Sequence, residues 1–240
     1  MSNSTIQDVQ KAQGRLMKER SVFPNINAPS EGRHRTETFR WIMESLKRDP
    51  TIGKKLADLG AGPCLFAQIA CEYGFEPTAV DGRIARVPEN LGSVTFIQSN
   101  VMDFNQSTFD VSVILGLLYH LTLEDQIKLM GKVPKTAVLV LDTQVHHSSL
   151  VQHDASAARG FDTGNVVKKK NYEGVIFPEG DNPMASIENP TSWWHTPNSL
   201  RTLLREAGFV EAITVGEPYV SKYGGREWIV ARKAGTFSTI

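Results

Sequence analysis

The sequence predicts a doubly wound α/β fold, a mostly parallel sheet with helices on both faces. Three observations predict it. Apolar runs of strand length recur along the chain, helical periodicity fills the gaps between them, and a glycine-rich turn joins the first run to the first following helix. Apolar strands separated by helices imply parallel strands covered on both sides, and right-handed crossovers then wind the sheet in both directions. A chain of 240 residues accommodates one large domain with an elaboration. With 40% hydrophobic and 22% charged residues, it supports a sizeable core and not a disordered chain.

Residues 1–35 are polar and broken by Pro24, Pro29 and Gly32, and read as an amino-terminal lid or arm. The main domain is expected over 36–240. Phe39, Ile42, Met43 and Leu46 fall at helical spacing, which predicts a helix over about 36–48, ending before Pro50. Seven strands are expected, at 56–60, 77–81, 94–99, 111–117, 136–142, 212–215 and 228–231. Helices are expected at 65–73, stopped by Gly74, and at 123–132. A third, capped by Asn198 or Ser199, runs to Glu206 and is closed by Gly208. Residues 146–195 break the rhythm with glycines, prolines, asparagines and the run Lys168-Lys169-Lys170, leaving one hairpin around 175–177. About fifty residues is long for a connection in a compact domain, so this stretch is expected to be an inserted lid that shapes a binding pocket.

Lysine plus arginine and aspartate plus glutamate each number 26, and this formal neutrality gives no broad positive field for nucleic acid. Cys64 and Cys71 have no CxxC or zinc spacing, which suits a reducing compartment. The amino terminus lacks the apolar segment of a signal peptide, and the longest apolar runs are too short to span a bilayer. The chain reads as cytoplasmic, with no membrane partner.

The turn Asp58-Leu59-Gly60-Ala61-Gly62-Pro63-Cys64 carries the strongest functional signal. Glycines let the backbone turn tightly and approach a ligand, the helix start offers unpaired N–H groups, and Pro63 suits a first helical position. A dinucleotide fingerprint would require a third glycine where Leu65 stands, which argues against a nicotinamide cofactor. Asp81 lies 23 residues beyond Asp58 at the next strand's end, where an acid accepts hydrogen bonds from ribose hydroxyls.

From Asp58 to Asp142 these residues follow in the order of the class I S-adenosylmethionine-dependent methyltransferases, which the chain resembles. The resemblance implies a Rossmann-like sheet of seven strands with an antiparallel last strand, and S-adenosyl-L-methionine as cofactor. Gly60, Ala61 and Gly62 match the loop that holds the methionine part, with Asp58 before it. Asp81 and Gly82 match the ribose-binding end. Asn100, Val101 and Met102 fall where adenine is contacted, with Asn100 in place of the commoner aspartate and Asp103 the alternative partner. Gly116-Leu117-Leu118-Tyr119-His120 matches the strand end beneath the transferred methyl group. The pattern Leu200…Ala207-Gly208-Phe209 followed by two strands matches the last helix and antiparallel pair. A non-catalytic relative would be expected to lose the loop glycines or Asp81; both remain.

Methyl transfer needs a nucleophile held in line, and a hydroxyl acceptor also needs help losing its proton, for which histidine is the usual side chain near neutral pH. His120 and His146 stand past strand ends on the ligand edge and are the candidate bases, with His147 beside them and His34 and His153 without context. Asp142 with His146 is an alternative, incomplete site for a divalent metal. Tyr119, Trp194 and His195 are the candidate acceptor contacts, because aromatic rings supply large contact area. Arg35 is a candidate for the cofactor carboxylate or an anionic substrate. A small molecule or glycan with a free hydroxyl is the expected acceptor, and a homodimer is compatible with the chain. Two other readings stay open. A small-molecule N-methyltransferase is one, although the Asp/Asn-Pro-Pro-Tyr tetrapeptide is absent. The other is a wobble-uridine tRNA-modifying enzyme, similar at LLYH, whose basic surface is not evident here.

Overall fold

A computed structural model describes residues 28–147, 165–179, 189–221 and 224–234. Helix α1 (Ala28–Arg48) leads into β1 (Lys55–Leu59), α2 (Leu65–Glu72), β2 (Glu76–Asp81), β3 (Thr95–Gln98) and β4 (Val111–Leu115). A single helical turn (Leu118–His120) precedes α3 (Leu123–Lys132) and β5 (Val138–Val145). Then come β6 (Val167–Lys169), β7 (Tyr172–Pro178), β8 (Thr191–His195), α4 (Pro197–Glu206), β9 (Glu211–Thr214), β10 (Tyr219–Ser221) and β11 (Gly224–Arg232).

The main sheet runs in the order β10-β11-β5-β4-β1-β2-β3, with β9 also paired to β11. Strands β1 to β5 pair in parallel, and β11 runs antiparallel to β5, as expected of the last strand. β9 and β10 share β11's outer edge as two halves of one interrupted strand, so the architecture is that of seven strands.

Strand alternation decides which side chains meet which layer. Val138 and Val140 join Phe39, Ile42, Met43 and Leu46 of α1 on one face. Leu139 and Leu141 face the other way, against Leu129 and Met130 of α3 and Leu200, Leu203 and Leu204 of α4. Burying each such side chain contributes about 1.5–3 kcal/mol. Thr122 and Thr196 cap α3 and α4 through their side-chain oxygens, which accept from the N–H groups of Asp125 and Ser199.

Several sequence expectations change. α1 begins at Ala28, eight residues before position 36, because a proline in the first turn loses no helical hydrogen bond. The expected boundary at 35 therefore falls inside this helix; the rest of the amino-terminal arm lies outside the described residues. Pro63 is not the first residue of α2: Cys64, in the left-handed region at φ 57, intervenes before Leu65. The described parts of 146–195 hold a three-stranded antiparallel sheet, β6-β7-β8, where one hairpin was expected. Its third strand contains Trp193 and Trp194. β5 runs three residues past Asp142, so that acid sits within the strand.

Candidate functional site

The turn after β1 is built as a ligand cradle. Gly60 N–H and Ala61 N–H donate to the Val80 carbonyl at 2.8 and 3.1 Å, tying the turn to β2. Gly60 has φ 73, and a Cβ there would stand 3.0 Å from Leu117, so both conformation and space require glycine. Gly62 N–H and Arg83 N–H each donate to the Asp81 carboxylate at 2.8 Å, which fixes that side chain at the end of β2. A carboxylate has about four acceptor directions, so these two bonds leave room for ribose hydroxyls. Gly82 follows, its carbonyl accepting from Gln98 Nε2 at 3.3 Å. Asn100 Oδ1 accepts from Met102 N–H at 2.9 Å, so it shapes the turn after β3, with Val101 buried beneath.

Asp58 is buried in β1, and its Oδ2 has no hydrogen-bond partner among the described residues. Burial is the main reason its carboxyl is pushed up to about 7; the Asp81 charge adds to the rise, while a backbone bond from Ala67 and the Arg35 charge oppose it.

A second centre lies at the carboxyl ends of β4 and β5. Arg226 of β11 donates to Asp142 through Nε at 3.0 Å and Nη2 at 2.6 Å. Arg35 of α1 donates through Nε at 2.7 Å, and the Tyr219 hydroxyl donates at 3.2 Å. Arg226 Nη1 donates to the Tyr119 hydroxyl at 3.3 Å. The side chains of Asp142 and Arg226 are 0% and 3% exposed, whereas that of Arg35 is 22% exposed. Burial alone would raise the Asp142 carboxyl; the charges of Arg226 and Arg35 outweigh it and hold the group below its ordinary range. Two guanidiniums thus converge on one carboxylate. Gly116 faces the cluster: a Cβ there would stand 3.2 Å from Arg35 Nη2 and 3.7 Å from the Tyr119 hydroxyl.

His120 stands on the helical turn just after β4, its ring 4.3 Å from that of Tyr119. Its Nδ1 lies 3.0 and 3.1 Å from the two carboxylate oxygens of buried Glu179. His146 follows β5, with its N–H donating to the His195 carbonyl at 2.8 Å. Burial, then the neighbouring His147, holds its imidazole below the ordinary range.

Trp194 is buried, stacked on Phe177 at 4.6 Å, and its Nε1 donates to the Tyr119 carbonyl at 3.0 Å. It therefore supports the Tyr119–His120 turn from behind. His195 is enclosed as well: Trp193 Nε1 reaches its Nδ1 at 3.2 Å and Ser199 Oγ lies at 2.7 Å. Burial pushes its imidazole down to about 3, so it is a neutral packing element of β8 and α4 and not an open acceptor contact. His34 packs edge-on against Tyr219 at 4.4 Å, and His153 lies outside the described residues.

The metal alternative on Asp142 and His146 fails on geometry, because guanidiniums and a phenol already occupy both oxygens of Asp142. No cluster of three or more histidine, cysteine, aspartate or glutamate residues able to hold a metal occurs among the described residues. No helix among them is long and apolar enough to cross a membrane.

Sequence reasoning missed Arg226, Tyr219 and Glu179. Arg226-Glu227 directly before the apolar run from Trp228, like Asp142 at the end of the apolar run in β5, was the available signal: charges that continue an apolar strand into the interior need partners.

No protein-family profile matches the sequence, and no curated protein matches it at a significant level. Solved structures do share the fold. The amino-terminal domain of EvdMO1, solved with S-adenosylhomocysteine bound, superposes with a TM-score of 0.60 at 19% identity, covering 82% of this chain and 80% of that one. A 1,6-didemethyltoxoflavin-N1-methyltransferase from Burkholderia thailandensis gives 0.51 at 16% identity, over 90% and 94%. A SAM-dependent methyltransferase from Archaeoglobus fulgidus gives 0.53 at 14%, over 82% and 92%. The chain thus has the Rossmann-like fold of the class I S-adenosylmethionine-dependent methyltransferases.

Proposed function

We propose that this protein is a methyltransferase that binds S-adenosyl-L-methionine and methylates a hydroxyl of a small molecule or sugar. One observation carries the reading: a buried carboxylate and a guanidinium with open nitrogens flank the glycine turn. Asp58 has an unpartnered oxygen, and Arg35 bonds Asp142 through Nε alone. An amino-acid zwitterion satisfies both, its ammonium at Asp58 and its carboxylate at Arg35, whose Nη atoms make no hydrogen bond among the described residues. The same residues fit the methionine end of the cofactor. Asp81 and Gly82 border the ribose, and Asn100, Val101 and Met102 the adenine. Gly116 keeps the space beside the sulfur clear.

When bound, the cofactor supplies a methyl group activated by its sulfonium. His120 takes the acceptor's hydroxyl proton, Tyr119 and His146 flank the acceptor, and the Arg226–Asp142 pair holds Tyr119 in place. Two of the fold neighbours support a small acceptor: the EvdMO1 domain was also solved in the presence of D-fucose, and the N1-methyltransferase with bound 1,6-didemethyltoxoflavin. The latter keeps a nitrogen acceptor as the second reading.

Calorimetry with S-adenosylhomocysteine tests the cofactor, and no uptake by folded protein removes the proposal. Transfer of labelled methyl to a panel of hydroxylated small molecules and sugars tests the acceptor. Label found only on amines moves the assignment to nitrogen. Tight, steeply salt-dependent RNA binding moves it to nucleic acid.

A further inference from the structure

Glu179 is a fully buried glutamate to which the function proposed above gives no part. It closes β7, its N–H donates to the Pro190 carbonyl at 3.0 Å, and its side chain is 1% exposed. Its polar partner among the described residues is the imidazole of His120, with Nδ1 3.0 and 3.1 Å from the two oxygens. We propose that Glu179 is the positioning residue for the base of methyl transfer: it holds His120 as the Nδ1–H tautomer and leaves Nε2 as the proton acceptor. This rests on the function proposed above.

The surrounding geometry makes the pair rigid at both ends. His120 sits on a turn closed by its own N–H to the Leu117 carbonyl at 2.9 Å. Trp194 Nε1 holds the preceding carbonyl, that of Tyr119, at 3.0 Å, and Trp193 N–H donates to the Leu121 carbonyl at 3.0 Å. Strand β8 thus clamps both sides of His120, while Glu179 arrives from β7, paired to β8 through Pro178 and Thr191. The second sheet therefore delivers a carboxylate to the histidine of the first.

The chemistry needs this. A neutral imidazole left to itself prefers the proton on Nε2, which would put the lone pair on Nδ1, facing the wrong way. A carboxylate accepting from Nδ1–H reverses that choice and stabilises the imidazolium once formed. In transfer, the acceptor O–H proton passes to Nε2 and an oxygen electron pair forms the new O–CH3 bond. The S–CH3 bond breaks with its pair retained by sulfur, which becomes a neutral thioether. His120 then loses its proton to water, and Glu179 takes no proton in the step. The His120 side chain, 18% exposed, has no described partner for Nε2, as a base awaiting substrate requires.

The test is long-range 1H–15N spectroscopy of the full chain labelled at histidine and saturated with S-adenosylhomocysteine, at a pH where His120 is neutral. Wild type should show His120 protonated on Nδ1 with Nε2 unprotonated. Glu179→Ala should exchange the two, giving Nε2–H. An Nδ1–H signal that persists in Glu179→Ala overturns the proposal. So does Nε2–H in wild type, which decides the matter alone if the variant does not fold. Calorimetric uptake of S-adenosylhomocysteine on the same wild-type sample separates the two claims. Uptake with Nε2–H overturns only this assignment; no uptake with Nδ1–H overturns the proposed function and the methyl-transfer role with it.

Discussion

Cofactor binding should be coupled to a proton on Asp58. Its carboxyl is pushed up to about 7, chiefly by burial, and an ammonium placed at the unpartnered oxygen would return it toward its ordinary value. Binding then competes with protonation. Affinity for S-adenosylhomocysteine should be nearly flat above pH 8, about tenfold weaker at pH 6 and about a hundredfold weaker at pH 5, each pH unit corresponding to ~1.4 kcal/mol. Calorimetry at pH 6 in two buffers of different ionisation enthalpy should report release of about 0.9 proton per site. Asp58→Asn should bind about 10–100-fold more weakly at pH 8, the cost of a charge-assisted bond, and lose the dependence on pH. The free protein carries the opposite trend. A carboxyl raised in the folded state contributes stability that is full below the unfolded value near 4 and lost as pH rises through about 7. Asp58→Asn should therefore raise the melting temperature at pH 8 without ligand. A wild-type affinity that does not change between pH 8 and pH 5, or an identical slope in the variant, would refute the reasoning.

Four further outcomes are expected. Arg226→Met leaves the buried Asp142 carboxylate with the Arg35 guanidinium and the Tyr219 hydroxyl, and chemical denaturation should show a loss of about 3–5 kcal/mol. Gly60→Ala forces a side chain into the left-handed region 3.0 Å from Leu117 and should cost about 1–3 kcal/mol while weakening cofactor uptake, measured by melting and by calorimetry. His195 is held neutral down to about pH 3, so it contributes stability present above the unfolded value near 6.5 and lost as pH falls. Asp58 contributes an opposite slope over the same range in both proteins, so the comparison isolates His195. In melting curves between pH 6 and pH 4, the stability of His195→Gln against pH should differ in slope from wild type by about 1.4 kcal/mol per pH unit. Dialysis against a chelator should leave methyl transfer unchanged, since Asp142 has no oxygen free for a metal.

The half of the proposed site around the glycine turn was legible in the sequence because it is local. Gly60, Gly62 and Asp81 lie on one turn and the next strand end, and their spacing alone brings them together. The acceptor half was not. Glu179 meets His120 across 59 positions, and Arg226 meets Asp142 across 84, by pairings that no local periodicity encodes. The Ser192-Trp193-Trp194-His195 run was visible as aromatic, but alternation along β8 turns its rings into packing. In the same way, β11 begins four residues earlier than its apolar core suggests, because Gly224, Gly225, Arg226 and Glu227 carry strand pairing without a hydrophobic signal.

A single carboxylate, that of Asp142, gathers side chains from α1, β10 and β11, the last two more than seventy positions downstream. The proposed ligand site is therefore assembled from both ends of the chain. The cluster at Asp142 is complete only where the final strands are paired onto the sheet. A chain shortened before Tyr219 would retain the glycine turn yet leave Asp142 with Arg35 as its one remaining described partner. Under the proposed function, uptake of the cofactor therefore depends on the finished fold and not on the glycine turn by itself.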